Sequence, residues 1–239
     1  MGKFSLGPNA RSQLSSMALT WKQGEHVLIT GGTGSGKTML ARYLDQIRID
    51  RGGFVVVFVS KLQPDDTILE HYRGWQRWKV WKKPGPHDNK ILLWPAVEGL
   101  AYDDAVKLMR EVFTQALQEI SKVGKWTLHF DEGLMMSDPK IINLGTEIGM
   151  MTSLMRSAKG TIIVIAQRPA NLSLSIYSNL SYAFIAYARE NSDLIRLANL
   201  DGKVTSKELS KIIQSNARYD FTFIDAVGNR PPQRFNLSR

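Results

Sequence analysis

Three short stretches of this sequence carry residue types whose chemistry depends on their spacing. Gly31-Gly32-Thr33-Gly34-Ser35-Gly36-Lys37-Thr38 fits the pattern G-x-x-x-x-G-K-[ST]. Glycines let the backbone fold into a nest of inward N–H groups suited to phosphate oxygens, and a helix starting at Lys37 adds its dipole. Lys37 would reach the β- and γ-phosphates of ATP and the Thr38 hydroxyl would ligate Mg²⁺, with Met39 next in the nucleotide-contacting run. The second stretch is Asp131-Glu132, which follows the apolar run 126–130. At a strand end Asp131 would hold Mg²⁺ through water, while Glu132, facing the other way, would polarise a water for in-line attack on the γ-phosphate. The third is Gln167, where the apolar run 161–166 turns abruptly polar. Ligands of open parallel sheets bind at the carboxyl ends of strands, so Gln167 would orient that water or sense the phosphate. A phosphate loop alone does not separate kinases, GTPases and motor ATPases. The water-activating Glu132 favours hydrolysis.

Short apolar runs at strand length alternate with longer helical patterns, as in an α/β fold with a mostly parallel central sheet flanked by helices. Strands are expected at 26–30, leading into the glycine loop, and at 54–59, 91–94, 126–130, 161–166, 182–188, 221–225 and 234–237. A helix is expected from Lys37 to about Arg51, with Met39, Leu40, Tyr43, Leu44 and Ile47 on one face. Another opens with Asp103 or Asp104 as cap and ends at Gly124, with apolar residues recurring from Ala105 to Ile120. A third is expected from about Ile141 to Lys159 and a small one from Lys207 to Ser215. Residues 1–20 read as an arm, 21–239 as one domain, and 200–239 as its small C-terminal extension.

The length of 239 residues suits one large α/β domain. There is no cysteine, which excludes disulfides and thiolate metal sites. The four histidines are scattered, and His129 within a strand reads as a satisfied core residue. No apolar run reaches bilayer-spanning length and no signal-peptide core is present, so a cytoplasmic protein is expected. The net charge of +9 favours a polyanionic partner, nucleic acid being the commonest.

Taken together, these stretches resemble the FtsK–HerA family of ring-forming DNA motors. Glu25 to Thr38 is similar to that family's first strand and Walker A segment, and Phe130-Asp131-Glu132 to its Walker B. Arg156-Ser157-Ala158-Lys159-Gly160, and then Ala166-Gln167-Arg168-Pro169, resemble its basic-glycine turn and its A-T-Q-R-P motif. The resemblance implies a RecA-like core assembled into a hexameric or pentameric ring. ATP would lie between neighbours, double-stranded DNA would pass through the centre, and an arginine would be supplied in trans. Arg156 and then Arg189 are the candidates for that arginine. The compact plan resembles ATPases that package viral genomes into capsids, which implies a portal or vertex protein as docking partner.

The segment 73–83 interleaves Trp75, Trp78 and Trp81 with basic residues. At spacing three the tryptophans would share a helical face, as core or subunit interface, with the charges reaching outward. Exposed, they would stack on bases instead. Arg77, Lys79, Lys82 and Lys83 are the candidate phosphate contacts, with Arg230, Arg234 and Arg239 a weaker second set.

Overall fold

A computed structural model of the protein describes residues 12, 14, 21–188, 190–201, 204–228 and 230–237. The arm expected over 1–20 lies outside them except for Ser12 and Leu14, and Leu14 is buried beside Trp21 and Val27.

Among the described residues, nine strands form one sheet in the order β3-β4-β2-β5-β6-β1-β7-β8-β9. They are β1 (His26–Thr30), β2 (Phe54–Phe58), β3 (Gln76–Trp78), β4 (Lys90–Leu93), β5 (Trp126–Phe130), β6 (Thr161–Ala166), β7 (Leu180–Ile185), β8 (Asp220–Asp225) and β9 (Gln233–Asn236). All pairings from β3 through β7 are parallel, while β8 and β9 are antiparallel additions at one edge. The helices are α1 (Lys37–Asp50), α2 (Asp66–His71), α3 (Tyr102–Val123), α4 (Gly133–Ser137), α5 (Gly145–Ser157), α6 (Leu174–Tyr177), α7 (Asn191–Asp201) and α8 (Ser206–Gln214).

The central strands are apolar throughout because both faces of the sheet are covered, so residues pointing either way must be buried. Along β2, Val56 and Phe58 enter one cluster with the buried face of α3, while Val55 and Val57 join Ile68 of α2 and Tyr72 on the other side. In β6, Ile162 and Val164 face the α3 side, and Ile163 and Ile165 pack with Leu40 and Leu44 of α1. Some described residues beyond position 200 pack onto the same sheet and core. β8 pairs with β7, and Phe221 and Phe223 join the α1 cluster.

Four expectations change. The helix expected over 141–159 is present but shorter, as α5: a turn at 138–144 separates it from α4, and Asn143 there takes a left-handed φ of 57°. Helix α3 is capped by the backbone of Ala101, with Asp103 and Asp104 in its first turn, where their charge complements the helix dipole. The tryptophan segment is the short edge strand β3 and the loop after it. Trp75 packs on the α2 side, whereas Trp78 and Trp81 join the α3 side. Spacing three therefore reflected burial on the two faces of a sheet edge.

The fourth concerns His129, which is wholly buried but only half satisfied. Its Nδ1 lies 2.8 Å from Asp45 Oδ2, the oxygen that also accepts from the Tyr72 hydroxyl at 2.9 Å. Asp45 Oδ1 and His129 Nε2 have no hydrogen-bond partner among the described residues. Burial pulls the His129 pKa down, but the Asp45 charge and hydrogen bond, with the charge of Asp131, outweigh it and hold the pKa above its ordinary value. This polar contact ties α1 to β5 and to the loop carrying Tyr72.

Candidate nucleotide-binding site

The loop Gly31–Gly36 leaves the carboxyl end of the buried strand β1 and enters α1. Gly31 has φ 149°, and a Cβ there would sit 2.6 Å from the Cβ of Ala186. Gly36 caps α1 in a left-handed conformation, φ 94°, with no side chain satisfying the first helical N–H groups. Those amides are free to point at an anion. Lys37 curls back over the loop, and its Nζ donates to the Gly32 carbonyl at 2.8 Å. Burial lowers the Lys37 pKa, opposed by the charges of Glu132 and Asp131.

A cleft of about 430 Å³ opens beside this loop, lined by Lys37, Thr38, Met39, Asp131, Glu132 and Gln167 among others. The three stretches singled out in the sequence therefore meet at one place. The strand order explains how. β6 lies between β1 and β5, so its tip, Gln167, falls between the phosphate loop and the acidic pair. Gln167 Nε2 donates to Glu132 Oε2 at 3.4 Å.

Asp131 is 7% exposed, and its carboxylate makes no side-chain hydrogen bond among the described residues. Burial raises its pKa, although His129, Lys61 and Lys37 oppose the rise. A desolvated carboxylate without a hydrogen bond, sharing a cleft with a threonine hydroxyl, fits a hard divalent cation such as Mg²⁺. Glu132 is half-buried, and burial together with the charge of Asp131 raises its pKa as well.

Two residues that the motifs did not flag belong to the same surroundings. Lys61, just past β2, lines the cleft with its Nζ 3.6 Å from Asp65, whose other oxygen caps α2. A lysine two residues beyond the apolar run 54–59 of a parallel sheet was the available signal. Asp193, 2% exposed on α7, accepts from Arg168 Nε and from the Ala170 amide, both at 2.9 Å. Arg168 also lies 4.0 Å from Glu190. The tip that presents Gln167 is thus clamped from behind, which no local pattern disclosed.

The remaining candidates lie elsewhere. Arg156 is exposed at the end of α5, and its backbone packs on Gly24, ahead of β1. It therefore sits at the amino ends of the strands, with the phosphate loop at their carboxyl ends. β1 alone spans about 16 Å, so Arg156 is too far to serve its own loop. Arg189 and Arg239 lie outside the described residues. Arg77 is half-buried, its guanidinium 2.8 Å from Glu98 and over the ring of Trp94, whereas Lys79, Lys82 and Lys83 are exposed. Arg230 lies 3.4 Å from Asp225, and Arg234 donates to the Ile212 carbonyl.

A phosphate loop between a central parallel strand and its helix, with the acidic-pair strand one position removed, defines a RecA-like P-loop NTPase fold. Solved structures of the same fold bear this out. The DNA-packaging ATPase of Sulfolobus turreted icosahedral virus superposes with a TM-score of 0.61 at 16% identity, covering 92% of this chain and 100% of that one. The genome-packaging NTPase of Sulfolobus turreted icosahedral virus 2, in complex with ATP-gammaS, gives 0.55 at 16% identity, covering 88% and 95%. VirB4 of Thermoanaerobacter pseudethanolicus gives 0.61 at 11% identity, covering 89% and 88%. At these identities the likeness is one of fold, and it is the fold that the sequence resemblance implied. No family model and no curated protein matches the sequence.

Proposed function

We propose that this protein is an ATPase that works as a ring of identical subunits to translocate double-stranded DNA, packaging a viral genome. The observation that carries the reading is the contact between Glu132 and Gln167 in the cleft beside Lys37 and the phosphate loop. Loop amides and Lys37 would hold the phosphates, and Thr38 with Asp131 would hold Mg²⁺. The bound ion would supply charge neutralisation at the phosphates. Glu132 then takes the proton from an attacking water, and its raised pKa makes it a stronger base than an ordinary carboxylate. Gln167 holds that carboxylate and the water in line.

The motor reading draws its support from structural neighbours with nearly the same span, two of them genome-packaging enzymes. The net charge of +9 and the exposed Lys79, Lys82 and Lys83 fit a polyanion track. Since no arginine is seated in the cleft among the described residues, a neighbour would complete it, with Arg156 the leading candidate. A capsid portal or vertex protein would be the docking partner, and the host cytoplasm the place of work.

The deciding measurement is ATP turnover with and without duplex DNA across a salt series, with mass in solution recorded alongside. The motor requires an oligomer and a DNA stimulation that fades steeply with salt. Glu132→Gln should lower turnover by about 10²–10⁴-fold while nucleotide binding is retained. Turnover indifferent to DNA at low salt would replace the motor with an ATP-gated assembly or switch protein.

A further inference from the structure

The cleft has a polarity. Glu132 and Gln167 mark the end where the γ-phosphate is attacked, and Lys37 reaches the β- and γ-phosphates. The remainder of the nucleotide must extend past the start of α1, on the side away from β5 and β6. That side is formed by the C-terminal strands. A Cβ on Gly36 would lie 3.0 Å from Leu237 Cδ1, 3.2 Å from Tyr219 Cδ1 and 3.7 Å from Met39 Cε. Three apolar side chains thus converge where the phosphate loop becomes helix.

Tyr219 is unusual among them. It is a non-glycine residue with φ 68°, as are Lys125, Asn143 and Lys159, but it alone of the four carries an aromatic ring, and a bulky side chain keeps this conformation only where its surroundings fix it. Its turn is held from several directions. The Tyr219 carbonyl accepts from Leu237 N at 3.0 Å, Asp220 N donates to the Ala217 carbonyl at 3.0 Å, and the Asp220 carboxylate accepts from Ala217 N at 2.8 Å. The ring is half-buried. It borders both the 430 Å³ cleft and a second one of about 740 Å³ that contains Thr33, Gly34, Asn216 and Arg218. The Arg218 guanidinium lies 4.9 Å from its centroid.

We infer that Tyr219 is a nucleobase platform: its ring stacks on the purine of the bound nucleotide, with Met39 at the edge of the same subsite. The strained backbone is what turns the ring toward the loop. This rests on the nucleotide-binding reading above and adds the residue that makes the ligand a nucleoside triphosphate and not merely a polyphosphate.

Calorimetric titration of the full chain with Mg²⁺ and either ADP or inorganic tripolyphosphate separates the two readings. Tyr219→Asn removes the ring but tolerates the left-handed backbone, and Tyr219→Phe keeps the ring. Loss of the ring should weaken ADP by about tenfold or more, the size of one base–aromatic stack, and leave tripolyphosphate unchanged, with Tyr219→Phe like wild type. An unchanged ADP affinity in Tyr219→Asn overturns the platform, as does a parallel loss for both ligands. Wild type that binds neither removes the nucleotide reading and the platform with it.

Discussion

Asp131 stands where stability and function pull apart. Burial raises its pKa, so the fold disfavours the ionised form of this carboxylate. A carboxylate with a raised folded pKa costs stability above that pKa, and the cost disappears as pH falls through it toward the ordinary value. Asp131→Asn should therefore raise the nucleotide-free melting temperature at pH 7, with the gain shrinking as pH falls. The same variant should lose Mg²⁺-dependent nucleotide binding. Thermal melts over a pH series check the first half, and titration with and without Mg²⁺ the second. A variant no more stable than wild type at pH 7 would mean that the positive groups around Asp131 already offset its burial.

Among the elements, the tip of β6 is the most telling. Gln167 is exposed and contacts Glu132, but its position is set by Arg168 and by the buried Asp193 on α7. Asp193→Asn removes the charge of that clamp, and kcat for ATP should fall by about tenfold or more while nucleotide affinity is kept. Equal loss of both would mark Asp193 as merely structural. At the sheet edge, Trp81 is 5% exposed, and its indole N–H donates to Glu119 at 2.8 Å. Trp81→Ala should cost about 3–5 kcal/mol in denaturant unfolding. Lys82→Ala and Lys83→Ala should stay within about 0.5 kcal/mol of wild type. The same contrast explains what the sequence disclosed. Strands buried on both faces, such as β2 and β6, announce themselves as apolar runs, and the long helix α3 as a 3.6-residue repeat. Gly31–Thr38 and Asp131-Glu132 stood out because the phosphate and metal chemistry proposed for them would demand fixed residues at fixed spacing. The three-residue β3 was too short for a period to distinguish it from a helix. Asp193 and Tyr219 were hidden because partners 25 residues away or across the sheet give them their roles.

For the whole molecule, the separation between Arg156 and the phosphate loop yields a test that needs no structure. Lys37→Ala disables the loop, and Arg156→Ala disables the proposed contribution to a neighbour. Each alone should be inactive. Mixed in equal amounts and allowed to exchange, they should regain roughly a quarter of wild-type turnover, because that share of interfaces pairs an intact loop with an intact arginine. Mixtures as inactive as their components would show that Arg156 does not act in trans.

That same placement, loop at one end of the strands and arginine at the other, also bears on symmetry. Were Arg156 to serve a neighbour's loop, two copies set end to end on a two-fold axis would bring identical ends together and leave both loops unserved. A head-to-tail contact repeated in one direction would pair each loop with a neighbour's arginine. An open row of such copies would leave one loop unserved at its end, and closure into a circle would serve them all.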